Sequence, residues 1–402
     1  MNFFKKATGG FVDYCNSVKS GFKLKHYVNY MAITAVLIVF SILYYTGSLN
    51  RSTPNLLMQI GYSIILAVSL NLVVGFLGEL SLGHAGFMCV GAYLGTFFTN
   101  SILKVVPSLP LCLIISMIIG GVAAGVFGFV VGLPALRLKG DYLAIVTLAF
   151  GEIVRNICRN LPFFGGAQGL ASGYYSEMLS QGKRAMPLFI PAFIGVLVML
   201  AVIQNIIRSK HGRAITAIRD NEIAAKAMGI NVTYYKLFAF VVSAVFAGMA
   251  GVIYGCSVSP VSYSTFSYNY SIEILVMVVL GGMGSINGSI IAATLITWIN
   301  FMLKSNFSGD MSAIKNLIYA LILIIMVIYK NAPALKSFRE KYNPKKLIEK
   351  FLPKKDSAYI NDDEARWDVI TTKINMDEVL SVDINVVEST VEPDKAPKGG
   401  DE

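Results

Sequence analysis

Charge is scarce in this chain: Asp, Glu, Lys and Arg make up 14% of its 402 residues, where an ordinary soluble domain carries about 25%. With 55% apolar residues and a mean hydropathy of +0.61, that scarcity excludes a water-soluble enzyme and a disordered chain. It also excludes a nucleic-acid binder, despite a pI near 9.2. The five cysteines, Cys15, Cys89, Cys112, Cys158 and Cys256, lie far apart with no C-x-x-C among them. Neither a zinc site nor a disulfide framework follows, and the sequence asks for no metal or cofactor. A nucleotide-hydrolysing loop is missing too. The pattern G-x-x-x-x-G-K-[ST] needs a hydroxyl after its lysine, but the single Gly-Lys pair, Gly182-Lys183, is followed by Arg184 and has Glu177 at the first position. No catalytic residue is expected, and any energy drawn from ATP must come from another chain.

What the sequence has in abundance is long uncharged runs. A bilayer core takes roughly 20 apolar residues per helix, and runs of that length occur at 28–50, 52–78, 80–103, 105–136 and 185–207. The stretch 237–303, interrupted only by Glu273, is too long for two straight helices. It divides into three at Ser259-Pro260 and at Gly281-Gly282-Met283-Gly284. Two weaker candidates are 142–157, which contains Glu152 and Arg155, and 316–329. The reading is an all-α polytopic membrane protein with about ten transmembrane helices and glycine-interrupted segments. Glycines four residues apart, at Gly91 and Gly95, Gly121 and Gly125, Gly128 and Gly132, and Gly251 and Gly255, suit close helix packing in lipid.

Three regions follow. Residues 1–27 form a basic segment, 28–329 the membrane domain, and 330–402 a tail. Lys5, Lys6, Lys19, Lys23 and Lys25 precede the first span, and Lys330, Lys336, Arg339, Lys341, Lys345 and Lys346 follow the last. The positive-inside rule then places both termini in the cytoplasm, the loop 208–235 inside and the loop 160–186 outside, with Lys183 and Arg184 against the rule. The first run lacks a small-residue cleavage site and reads as an uncleaved helix. In the tail, residues 330–355 carry nine basic and two acidic side chains, suited to an anionic leaflet of membrane lipid; residues 356–402 carry four basic and thirteen acidic ones and read as a weakly ordered appendage.

Polar groups and glycines interrupt the spans at two places. The first, Gly75 to Phe87, contains Glu79, Ser81, Gly83 and His84; the second, Leu280 to Gly288, contains Gly281, Gly282, Gly284 and Asn287 and resembles the first in pattern. Broken segments at corresponding places in two halves point to a translocation pathway, so these residues and Glu273 are its candidates. The alternative for Glu79 and His84 is that they cap or cross-link helix ends. Glu152 has a local partner, Arg155, three residues on.

The loop from Lys210 to Ile230 is alanine-rich and reads as a short helix ending at Gly229, with Asp220 or Asn221 available as a cap. Its candidate functional residues are Gly212, Arg213, Arg219, Asp220, Glu222, Ala224, Ala225 and Gly229; a side chain at Gly229 is expected to clash at the helix end. The stretch Gly212-Arg213 through Gly229-Ile230 resembles the coupling motif of ABC-importer permeases. Together with Gly78 to Phe87, Lys139 to Ile153 and Val278 to Ser285, it is similar to the LivM-type permeases of branched-chain amino acid transporters. The resemblance spans roughly residues 28–335 and omits the acidic tail. It implies a transport subunit, not an enzyme, in the bacterial plasma (inner) membrane, where it forms a pathway for branched-chain amino acids. The implied partners are a LivH-type second permease, two ABC ATPase subunits and an external substrate-binding protein. Two alternatives stay open: the same machine for urea, amides or other amino acids, and a proton-driven secondary transporter using Glu79, His84, Glu152 and Glu273.

Overall fold

A computed structural model describes residues 28–46, 52–105, 108–138, 140–181 and 187–306, with positions 321 and 324. The N-terminal segment 1–27, Lys183, Arg184, the tail 330–402 and nearly all of the span expected at 316–329 lie outside the described residues.

The described chain is helical throughout. In order it runs α1 (Val28–Tyr45), α2 (Thr53–Asn71, continued by a π-helical turn Leu72–Leu77), α3 (His84–Ile102), α4 (Leu109–Ala135), α5 (Asp141–Asn160), α6 (Gly173–Gln181), α7 (Phe189–Arg208), α8 (Lys210–Asp220), α9 (Glu222–Ala227), α10 (Val232–Ser257), α11 (Tyr268–Gly281) and α12 (Ile286–Asn306). Among the described residues there is no strand; the one extended pairing is an isolated bridge between Leu170 and Val261. Each span read from the sequence up to residue 303 coincides with a helix. Among the described residues five segments are long and apolar enough to cross a bilayer, namely Thr53–Leu77, Leu109–Ala135, Phe189–Arg208, Val232–Ser257 and Ile286–Leu303, while α1 and α11 are shorter apolar helices.

The packing explains the glycine spacing. Helices α3 and α4 both lie against α10, and they do so backbone to backbone. A Cβ added to Gly91 would collide with the Gly248 carbonyl, one on Gly251 with the Met88 carbonyl, and one on Gly128 would sit 2.6 Å from the Ala244 methyl. Without a hydrophobic drive between helices in lipid, such close approach and the dispersion it gains are what hold them together. The opposite face of α4 presents Leu111, Ile114, Ile118, Val122, Val126 and Val130, all exposed and three or four residues apart. In water such a stripe would be unfavourable; against acyl chains it is the expected outer surface. Helix α2 is enclosed, with Ile65, Leu66, Leu70 and Leu72 fully buried.

Because Gly91 and Gly248 leave no room between their backbones, Gly91→Val is expected to destabilise the protein by about 1–3 kcal/mol. Ile118→Val, on the exposed face of α4, should change little. Thermal unfolding of the two variants in detergent, followed by intrinsic fluorescence, checks this; equal midpoints would contradict the packing described.

Candidate functional site

The two glycine-broken segments, far apart in sequence, meet in space. Helix α2 widens into a π turn at Leu72 and stops at Gly78, whose φ of +83° suits a residue without Cβ. Just before the π turn stands Asn71, fully buried. Its Nδ2 donates to the Ser285 carbonyl (3.1 Å) and to Ser289 Oγ (3.0 Å), and its Oδ1 accepts from the Gly284 amide (2.9 Å). Gly75 lies directly on Gly284, since a Cβ there would collide with the Gly284 nitrogen and with Asn71 Oδ1. Gly281 and Gly288 cross backbone to backbone, and Gly282 and Gly284 hold φ of +99° and +79°. Asn71 was not among the residues singled out from the sequence. Its signal was available: an amide deep inside the uncharged run 52–78, flanked by Leu70 and Leu72, has to find partners in the protein.

The rest of the first break is pinned to α5 and α11. The Leu82 amide donates to Thr147 Oγ1 (3.1 Å), the Ala85 amide to Ser271 Oγ (3.1 Å), and a Cβ on Gly83 would collide with the Thr147 carbonyl. Ser81 is buried. His84 opens α3, with Nε2 at 3.0 Å from Ser69 Oγ. Ser69 Oγ also lies 3.1 Å from the Leu66 carbonyl oxygen, so one hydroxyl links the imidazole to the backbone of α2. Glu273 accepts from Asn300 Nδ2 (3.0 Å), linking α11 to α12, and Asn287 is exposed in the first turn of α12.

The loop between α7 and α10 forms two short helices. Ser209 caps α8, accepting from the His211 amide at 3.1 Å. Asn221, in extended backbone, caps α9 by accepting from the Ile223 and Ala224 amides, each at 3.0 Å. Asp220 does not cap; it pairs with Arg219. Gly212 is buried close under the Ile207 carbonyl, Arg213 is exposed, and of the two alanines Ala225 is buried and Ala224 exposed. Gly229 ends the element at φ +79°, with the Ile230 amide donating to the Ala225 carbonyl (3.1 Å). The clash expected at Gly229 is not there: a Cβ would meet nothing within 4 Å. Glycine is required there by the left-handed backbone, not by crowding. Ile223 and Met228, which the sequence reading passed over, are 79% and 81% exposed beside these helices.

Two contacts tie this loop to the glycine junction. Arg219 Nη1 donates to the Gly75 carbonyl (3.0 Å), and the arginine stem lies where a Cβ on Gly78 would be, 2.6 Å from Cγ. Lys236, fifth residue of α10, places its ammonium between Glu79 of the first break and Glu222 of α9, the latter at 3.2 Å. Lys226 holds the other Glu222 oxygen at 2.8 Å. The side chains of Lys236, Glu79 and Glu222 are 5%, 13% and 24% exposed. The Glu222 carboxyl is held below the usual carboxylate range, first by its hydrogen bond from Lys226, against an opposing effect of partial burial, and then by Lys236.

Lys236→Met would leave Glu79 and Glu222 facing each other without their shared cation, at a cost of about 3 kcal/mol. A carboxyl with a depressed folded pKa contributes stability above the ordinary carboxylate range and loses it as pH falls through its folded value. Glu222→Gln should therefore lower the thermal midpoint at neutral pH, and the gap to the unmodified chain should close on acidification below that range. Midpoints measured against pH check both variants; a gap that does not depend on pH would contradict the ion pairs.

Residues 52–328 match the family model for the branched-chain amino acid transport system permease component. The high-affinity branched-chain amino acid transport system permease protein LivM of Salmonella typhimurium is 32% identical over 336 residues, covering 77% of this chain and 75% of that protein. Its counterpart in Escherichia coli is 32% identical over 310 residues, 70% of this chain and 69% of the relative. The probable LivM of Methanocaldococcus jannaschii is 29% identical over 262 residues, 58% and 76% of the two chains. No solved structure matches. The family match takes in both glycine breaks and the whole of α8 and α9, and this multi-pass membrane chain belongs to the branched-chain amino acid transport permease family.

Proposed function

We propose that this chain is the LivM-type permease subunit of an ABC importer of the bacterial plasma membrane. It forms, with a LivH-type second permease, the pathway for branched-chain amino acids; two ATPase subunits supply the energy and an external binding protein delivers the cargo. Both termini and the helices α8 and α9 face the cytoplasm, with 28–329 as the membrane domain. The observation that carries this reading is the double attachment of α8 and α9 to the glycine junction, through Arg219 on Gly75 and through Lys236 on Glu79 and Glu222. A push on these short helices is delivered to backbone that interrupts the membrane spans, where few side chains need to repack. The exposed Ile223 and Met228 give a partner's groove something apolar to grip.

A proton-driven carrier is less well supported. Glu79 pairs with Lys236, Glu152 with Arg155, His84 with Ser69 and Glu273 with Asn300, so the four groups are held by separate partners rather than joined into one relay.

In the assembled importer reconstituted in liposomes, Arg219→Ala should lower leucine uptake per ATP hydrolysed about tenfold, the worth of one charged hydrogen bond. Gly229→Val should cause a loss of similar size, since a left-handed backbone costs an ordinary residue about 1–2 kcal/mol. Unchanged coupling in Arg219→Ala, or leucine uptake by the isolated chain under a proton gradient, would overturn the reading.

A further inference from the structure

Helix α7 is among the segments long and apolar enough to cross a bilayer, and its single charge is Arg208, its last residue. Its exposed residues Ile194, Val198, Val202, Asn205 and Arg208 are spaced three or four apart, so they form one face. An apolar face that ends in a cation is the pattern of a helix leaving hydrocarbon for the headgroup layer. The chain then turns at Ser209 and enters α8, whose Lys210 and Arg213 are exposed and three residues apart, on one face of that helix. The amino end of α10 stands beside this corner. The His211 ring lies 5.9 Å from that of Tyr235 and 6.0 Å from that of Phe238, and Tyr234, 54% exposed, holds its ring nearly parallel to Phe238. Aromatic rings next to cations are the side chains that anchor at a membrane surface.

The cations of this corner differ from those of the rest of the loop. Arg219 pairs with Asp220, Lys226 with Glu222, and Lys236 with Glu79 and Glu222. Arg208, Lys210 and Arg213 have no acidic partner among the described residues. Arg208 Nη2 donates to the neutral amide oxygen of Gln204 at 3.4 Å, which leaves the guanidinium charge uncompensated. We propose that Arg208 and Lys210 form a binding site for the phosphodiester headgroup of an anionic phospholipid, whose acyl chains lie along Ile194, Val198 and Val202. Acyl contact by itself does not choose among lipids, and the cations supply the choice. An acidic protein surface would meet the cations as well, but not the isoleucine and valine face that leads to them. The lipid ties the start of α8 to the leaflet, while Arg219 ties its end to Gly75. The inference rests on the importer reading only for the leaflet: with α8 and α9 in the cytoplasm, it is the inner one.

The test uses the intact importer in detergent with mixed phospholipids and reads the retained lipid by native mass spectrometry. Phosphatidylglycerol should be retained over phosphatidylcholine by about fivefold for each of the two cations. Arg208→Gln with Lys210→Gln should bring the ratio close to one, and Arg208→Lys with Lys210→Arg should keep it, since both charges remain. Equal ratios in the unmodified chain and the neutral variant overturn the proposal. So does loss of the ATPase subunits from the neutral variant alone, which gives the cations to a protein partner. Inorganic phosphate should not displace the lipid; displacement would mark an anion site without an acyl component and overturn the proposal too. A second arm places a tryptophan on the exposed face of α7 with Val202→Trp. Phosphatidylglycerol brominated in its acyl chains should quench it more than brominated phosphatidylcholine does, and equal quenching overturns the proposal. Absence of ATPase subunits from the unmodified preparation is a failure of the importer reading instead, and both arms are still read on this chain.

Discussion

The ammonium of Lys236 is the point on which the functional half of the structure turns. It sits at the foot of α10, nearly out of contact with solvent, between a carboxylate from the first glycine break and another from α9. A lone cation in that position would be untenable, and so would the two carboxylates without it. The three groups therefore form or dissolve together. That mutual dependence gives the loop between α7 and α10 a fixed seat on the membrane domain, and Arg219 fixes its angle by reaching the Gly75 carbonyl.

A second constraint is the absence of side chains where backbones meet. Gly75 against Gly284, Gly281 against Gly288, Gly83 against Thr147 and Gly86 against Gly151 bring main chain to main chain or nearly so. At these places the polar backbone, released from regular helix, has to be satisfied inside the protein. Asn71 does this for the second break with two bonds, to the Ser285 carbonyl and from the Gly284 amide, and Thr147 and Ser271 do it for the first. The result is a junction held by directed bonds and close main-chain contact rather than by side-chain bulk.

Much of this could be read from the residues alone, and what could not has a physical reason. The spans were legible because hydrocarbon imposes a length, and the breaks because glycine and charge are rare inside it. Their meeting was foreshadowed by the similarity of 75–87 to 280–288, but the link itself depends on Asn71, whose partners lie more than 200 residues on, in the second break and the start of α12. Lys236 was treated as the edge of the run beginning at 237, since a charge marks a boundary in hydropathy; only three-dimensional pairing with Glu79 and Glu222 lets it enter α10. The capping of α9 at Asn221 followed from residue type, whereas the choice between Asn221 and Asp220 followed from Arg219 claiming the aspartate. At Gly229 the expected clash is absent: dihedral freedom, which leaves no trace in spacing, is what the position demands.

The stack of α3 and α4 on α10 carries a mechanical consequence. Interlocked main chains have no rotamers to exchange, and a slide of one along another would drive each glycine notch onto a neighbouring methyl or carbonyl. These three helices consequently behave as a keel.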